Sequence, residues 1–240
     1  MIADRYARQT LVKELGQKGQ KRLATKHVIV IGGGGLGSHC ANLLVRMGVR
    51  SIDIIDNDIV DITNLHRTSV FSEQDIGQSK ALILQEKLQE VNTKVLVKGL
   101  NQKVTVENIW SLVQNADVII DGTDSIPLRL LINDASIQHN IPWVYAGVYE
   151  TVGMVMGILP KKTSCLACIT QDIPRSTAQD IPVFGSLPAT IAAIQCTEAI
   201  KLLLGKQPSG LLIYDVWKQC FDIMDIQRNP YCPICGKKKK

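Results

Sequence analysis

No stretch of this chain is apolar for long enough to cross a membrane as a helix. A spanning helix needs about 20 mostly apolar residues. The longest candidate in the second half, Leu187 to Leu204, is broken by Pro188, Gln195, Glu198 and Lys201, and reads as a buried helix. An apolar leader is missing as well. Asp4, Arg5, Arg8, Lys13 and Glu14 crowd the first positions, so no signal peptide is expected. Charge of one sign is also lacking. The net +5 comes from 27 basic against 22 acidic residues, and four of the lysines are Lys237 to Lys240. Without that tail the body is close to neutral, which excludes a nucleic-acid surface read from charge alone; the tail itself reads as solvated. There is no internal repeat and no linker. Hydrophobic content of 45% with 20% charged residues argues against disorder.

What is present reads as one α/β domain over residues 1–240: N-terminal helices (1–25), a nucleotide-binding half (26–140), a β extension with a crossover loop and zinc site (141–236), and a basic tail (237–240). The stretch from Asp4 to Thr25 predicts one or two amphipathic helices. Runs at His27–Ile31, Ser51–Ile55, Lys94–Val97 and Asp117–Ile120 predict strands, and Leu36–Met47, Gln78–Glu90 and Val104–Val113 predict helices between them. That alternation favours a Rossmann-like, doubly wound, mainly parallel sheet. After Pro142 the pattern changes. Trp143–Val148 and Thr151–Leu159, with a turn signal near Glu150, predict an antiparallel extension of the sheet. A loop at Asp172–Pro188, a helix at Ala189–Leu204, and strands near Leu211–Asp215 and Phe221–Gln227 complete the reading.

The chemistry begins at Gly32-Gly-Gly-Gly-Leu-Gly37, between a buried strand and a helix. Such a turn presents backbone N–H groups to phosphate, and Asp56, at the end of the next strand, is placed to hold a ribose. The bland reading, a tight packing turn, needs fewer glycines, since each costs backbone entropy. Asn64, Arg67 and Lys80 follow where the chain leaves the carboxyl edge of the sheet. Each alone is an ordinary surface or turn residue. Together they bring positive charge to a nucleotide, which suits phosphoryl or nucleotidyl transfer better than hydride transfer. Lys80 opens a helix, where a cation opposes the macrodipole unless it serves something else. Asp121 and Asp124 end a strand; Asp124 is either a helix N-cap or a magnesium ligand, and Asp121 caps or binds backbone. Cys165-Leu-Ala-Cys168 and Cys232-Pro-Ile-Cys235 pair as a four-cysteine zinc site, closed and therefore structural. In a chain with no secretion signal, that usage points to a reducing, cytoplasmic setting. Cys40, Cys196 and Cys220 read as small core residues.

Taken together these motifs resemble the ThiF, MoeB and HesA family, relatives of ubiquitin-activating enzymes, over nearly the whole chain. Arg5-Tyr-Ala-Arg-Gln9 is similar to its opening R-Y-x-R-Q, the glycine run to its G-x-G-G-L-G, and Asp56-Asn-Asp58 through Asn64-Leu-His-Arg67 to its D-x-D…N-L-x-R. Gly77-Gln-Ser-Lys80 and Gly122-Thr-Asp124 match its G-x-x-K and T-D-N, and the cysteine pairs its zinc site. The resemblance implies adenylation, with ATP and Mg2+, of the C-terminal Gly-Gly of a small ubiquitin-like carrier protein of the ThiS or MoaD kind. It implies a nucleotide site of Gly32, Gly34, Gly35, Gly37, Asp56, Asp58, Asn64, Arg67, Lys80, Asp124 and Ser125. Arg67, Lys80 and Asp124 would be catalytic, Asp124 on magnesium, and Arg8 would act from the partner subunit of a homodimer. Ser125 stands where Asn is usual and Thr68 where Gln often follows the arginine. The loop Asp172–Pro188 has no cysteine, and Ala178 falls about where relatives that form a thioester keep one. The expectation is therefore adenylation without a covalent step. An NAD-dependent oxidoreductase and a non-catalytic scaffold of the same fold stay open as alternatives.

Overall fold

A computed structural model describes residues 4–170 and 182–236. Its centre is an eight-stranded sheet in the order β3-β2-β1-β4-β5-β6-β7-β8. Strands β1 (His27–Ile31), β2 (Ser51–Ile55), β3 (Leu96–Leu100), β4 (Val118–Asp121) and β5 (Trp143–Tyr149) run parallel. Strands β6 (Val152–Ile158), β7 (Leu211–Asp215) and β8 (Cys220–Met224) add antiparallel. The α/β expectation and its antiparallel extension both hold. Glu150 makes the β5–β6 turn at φ +51°.

Strand pleating sends alternate side chains to opposite faces, and both faces are apolar. Val28 and Val30 of β1 enter one layer; Ile29 and Ile31 enter the other. The first layer is closed by helices α2 (Gly35–Met47), α3 (Lys80–Val91) and α6 (Leu187–Leu203) through Leu36, Leu44, Leu84, Ile191 and Ala199. The second is closed by α4 (Ile109–Val113) and α5 (Ile126–His139) through Ile109, Val113, Ile132 and Ala135. A fully buried leucine such as Leu44 contributes about 1.5–3 kcal/mol relative to exposure. Among the described residues, no helix is long and apolar enough to cross a membrane.

The chain leaves β1 towards β2 and β3, then returns to place β4 on the other side of β1. Ligands of open α/β sheets bind at the crevice this reversal creates. The crevice here demands close backbone contact. Gly32 has φ +93°, and a Cβ on it would sit 2.6 Å from Gly122 carbonyl atoms; one on Gly37 would sit 1.8 Å from the Gly32 oxygen.

The N-terminal segment holds one α-helix, α1 (Gly16–Leu23), preceded by a 3-10 turn at Gln9–Leu11, within the expected one or two. Three expectations are corrected. The expected helix Val104–Val113 shrinks to Ile109–Val113. The Asn108 side chain accepts from Thr105 N–H (2.8 Å) and donates to the Lys103 carbonyl (2.9 Å), offering the backbone an alternative to the helix. Helix α6 starts two residues before Ala189, because Pro188 fits a first turn, where its missing N–H costs nothing. Cys220 is not a core residue: it lies exposed on the edge strand β8.

Candidate functional site

The carboxyl ends of β1, β2 and β4 open into a cleft of about 1150 Å3. Gly32, Gly34, Gly35, Asp56, Asp58, Asn64, Arg67, Lys80, Asp124 and Ser125 all line it, drawn from five separate stretches of sequence. A Cβ on Gly34 would meet nothing within 4 Å, so that glycine leaves open room in the turn. Gly37 does not line the cleft. It belongs to the packing of α2 against β1 and the loop after β4.

Asp56 is held on both carboxylate oxygens by main chain: Oδ2 accepts from Gly33 N–H at 2.6 Å and Oδ1 from Asp58 N–H at 2.7 Å. Burial raises its carboxyl above the usual carboxylate range, against the pull of those two N–H groups and of Lys80. The carboxylate is thus fixed in orientation, with lone pairs left for hydroxyl donors. Asp58 is exposed and pairs with the largely buried Lys80, whose Nζ lies 3.1 Å from Asp58 Oδ2. Lys80 N–H also donates to the Asp58 carbonyl (3.0 Å). The lysine is therefore built into the wall of the cleft.

Residues Ile62–Arg67 form a 3-10 turn capped by Asp61. Asp61 accepts from Thr63 N–H, and Asn64 Oδ1 in turn accepts from Asp61 N–H at 3.2 Å, which seats buried Asn64 beneath the turn. Arg67 donates to the Thr63 carbonyl and stands 3.0 Å from His66 Nε2. Its main-chain oxygen is 3.2 Å from His39 Nε2 on α2, and Ser69 Oγ lies 3.1 Å from the other ring nitrogen. Burial lowers the His39 pKa, favouring a neutral ring that can donate to Arg67 and accept from Ser69. The Arg67 side chain and Pro188 of α6 both close on Gly35: a Cβ there would be 3.5 and 3.3 Å from them.

Asp124 is exposed on the opposite wall, and the question of its role as an N-cap is settled. Ser125 is the cap of α5, with Oγ accepting from Leu128 N–H at 3.4 Å. Asp121 is fully buried and accepts from Arg129 Nε at 3.1 Å. Burial pushes its carboxyl up against the opposing charge of Arg129. The sequence reading missed Arg129, which also lines the cleft, and Gln195, which is buried and donates to the Asp121 and Val144 carbonyls. It also missed Gln102 to Glu107, which form one side of the cleft in place of the expected helix. An arginine one turn into a helix that follows a buried aspartate was the available signal.

Arg8 is exposed and does not line this cleft. Its neighbours in the motif are anchors. Arg5 donates to the Val91 carbonyl (2.8 Å), Tyr6 Oη accepts from Asn92 (2.9 Å), and Gln9 donates to the Met47 carbonyl (3.1 Å). The segment is pinned at the far ends of α2 and α3 from the cleft.

The four cysteines Cys165, Cys168, Cys232 and Cys235 come together from the turn after β6 and the segment after β8, their sulfurs all within 4.8 Å of one another. Neighbouring sulfurs are 3.4 to 3.9 Å apart. A tetrahedron of Zn–S bonds of about 2.3 Å has edges of about 3.8 Å, so the donor set fits zinc in chemistry and size. Burial, and the neighbouring Cys168, push the Cys165 thiol well up, a penalty that a bound cation removes. Asn133 reaches Cys165 Sγ at 3.8 Å, and Arg228 donates to the Cys235 carbonyl, so the cluster has supporting contacts. Of the other thiols, Cys40 and Cys196 are buried against each other's helices. The expected cysteine-free stretch from Asp172, with Ala178, lies for residues 171–181 outside the described residues.

The ThiF family model matches residues 6–234. The chain is 35% identical to the sulfur carrier protein adenylyltransferase of Thermus thermophilus, covering 97% of this chain and 90% of that protein. It is 34% identical to the sulfur carrier protein ThiS adenylyltransferase of Bacillus subtilis (99% and 73%) and 35% identical to the SAMP-activating enzyme E1 of Haloferax volcanii (98% and 89%). The crystal structure of E. coli MccB with ATP superposes with a TM-score of 0.87 at 24% identity, covering 97% of this chain and 74% of that one, and so shares the fold. Motifs, fold and relatives converge, and the chain belongs to the ThiF family.

Proposed function

We propose that this chain adenylates the C-terminal glycine of a small ubiquitin-like sulfur-carrier protein, consuming ATP and acting as one adenylation domain. The observation that carries the reading is the convergence of Gly34, Asp56, Arg67, Lys80 and Asp124 on a single cleft at the sheet's reversal point. The relatives' names as sulfur-carrier adenylyltransferases support it. Asp56 holds the ribose. Gly34 and Gly35 admit the phosphates to the turn, and Asn64, Arg67 and Lys80 face them. The carrier's terminal carboxylate attacks the α-phosphorus, the bond to the bridging oxygen breaks, and pyrophosphate leaves with the charge that Arg67 and Lys80 neutralise. The rate then comes from alignment and fixed cations in a preorganised cleft. Asp124, exposed and free of capping duty, has the oxygen donor that Mg2+ prefers and would hold that ion against the phosphates. A dinucleotide oxidoreductase would leave Arg67 and Lys80 without a task.

Two further parts belong to the proposal. Zinc in the four-cysteine cluster serves structure, and seven cysteines with no disulfide among them suit a reducing compartment such as the cytoplasm. Arg8 completes the site of a partner subunit in a homodimer. Helix α2 has 13 residues and is about 20 Å long; Arg5, Tyr6 and Gln9 hold the segment that carries Arg8 at the end away from the cleft.

Pyrophosphate exchange into ATP, measured with candidate Gly-Gly carriers, tests the whole reading. Exchange should require carrier and fall by about 100-fold or more in Arg67→Ala, with thermal stability little changed because the half-buried Arg67 has no ion-pair partner among the described residues and donates only to its own turn. Tight NAD binding with no ATP binding would overturn the assignment.

A further inference from the structure

We infer that Arg129 is a positioning residue. From within the cleft wall it fixes the peptide that carries Asp124, and through that carboxylate it sets how tightly the site holds a divalent cation with its nucleotide. The inference rests on the reading of Asp124 given above.

Asp124 follows a stretch in which successive main-chain groups are tied down. Gly122 N–H donates to the Ile31 carbonyl at 2.8 Å. The Asp121 carbonyl accepts from Gln195 at 2.8 Å. Thr123 donates through both N–H and Oγ to Asp121 Oδ1, at 2.9 and 2.8 Å. The Thr123 carbonyl accepts from Arg129 Nη2 at 2.6 Å. That last contact matters most. The Thr123 carbonyl is part of the planar peptide leading into Asp124, so holding its oxygen holds the Asp124 nitrogen and Cα as well.

One guanidinium does this while serving two other strand groups. Nε donates to Asp121 Oδ2 at 3.1 Å, and Nη2 also reaches the Ala146 carbonyl of β5 at 3.0 Å. The Tyr145 ring, with its centroid 5.3 Å from Arg129 Cζ, supports the plane. A salt bridge serving stability alone is complete with Asp121. The bond to Thr123 is the one that extends from that buried pair to the exposed carboxylate. Only a planar fork can meet acceptors on β4, the loop and β5 together; an ammonium group at the same place meets Asp121 and loses the rest.

Binding of α,β-methylene ATP, measured by calorimetry across a Mg2+ titration, tests this without carrier and without turnover. Arg129→Lys keeps the charge opposite Asp121. It should raise the Mg2+ concentration for half-maximal nucleotide binding by about tenfold, as loss of an outer contact to a metal ligand does. Asp124→Asn should shift it the same way, and the double variant no further than Asp124→Asn alone. Should Arg129→Lys fail to fold, Asp121→Asn with Arg129→Gln removes both buried charges together and should show the same shift. A wild-type Mg2+ dependence in the arginine variants beside a shifted Asp124→Asn would overturn the positioning role, as would shifts that simply add. No shift in Asp124→Asn itself would remove the Asp124 reading, and this inference with it.

Discussion

At the scale of single residues, the glycine run divides into two kinds that sequence cannot separate. Gly37 is a packing glycine: a methyl there would lie 1.8 Å from the Gly32 oxygen. Gly34 faces open space in the cleft, where a methyl would meet nothing of the protein. Gly37→Ala should therefore cost about 3 kcal/mol of stability by overpacking. Gly34→Ala should change stability by less than about 1 kcal/mol and weaken ATP roughly tenfold or more by filling the space the phosphates need. Denaturant melts and ATP titrations of the two variants check both halves; equal destabilisation would refute the division. Asp124 shows the same limit. From sequence it is an N-cap or a metal ligand, and its neighbour Ser125 removes the first reading, since that hydroxyl takes the capping bond. Arg129 shows in the sequence only as an arginine one turn into a helix after a buried aspartate; its bonds to Asp121, Thr123 and Ala146 come from the fold.

At the scale of elements, the strands were legible because burial on both faces writes near-continuous runs of Val and Ile, as in β1 and β4. Helix ends were less so. The segment before Ile109 carries helical apolar spacing, but Asn108 bonds it into a turn, and that choice places Lys103 to Glu107 beside the nucleotide cleft. The cysteine pairs were legible as a pair of pairs. The long gap between them already implied a staple for the C-terminal segment, and the fold brings the turn after β6 against the segment after β8. Purified protein should carry one zinc per chain, and a strong chelator should lower Tm by about 10 °C, because metal binding is linked to folding. Metal analysis and calorimetry check this; a zinc-free protein with all four thiols open to alkylation would refute it.

At the scale of the whole molecule, the order of the motifs along the chain was enough to read a doubly wound sheet with an antiparallel extension. Where the cysteines end up was legible for six of the seven, and not for Cys220, which the fold leaves exposed. Cys196 packs beside Cys40 with 3% of its surface exposed, and four other thiols face one another in the metal cluster. Burial pushes the Cys40 thiol well up, further from a nucleophilic thiolate. Cys220 is exposed, but on the edge strand and outside the cleft lining. Enzyme, ATP and the cognate carrier should therefore yield carrier-AMP and no thioester. A reductant-sensitive enzyme–carrier adduct on a denaturing gel would refute this, and Cys220→Ser would show whether the edge-strand thiol had formed it.

The anchoring of Arg5, Tyr6 and Gln9 at the far ends of α2 and α3 has a consequence in mass action. If Arg8 serves another chain's nucleotide, half of every working site is borrowed, and specific activity must fall as the protein is diluted below its dimer dissociation constant. Two dead variants can then repair each other. In a mixed dimer of Arg8→Ala and Arg67→Ala, one site collects both defects and the other collects neither. Random re-pairing of equal amounts makes half the dimers mixed, so about a quarter of all sites regain full composition. Recovery of about a quarter of wild-type exchange on mixing would show that each site is assembled from two chains; no recovery after proven subunit exchange would return Arg8 to its own.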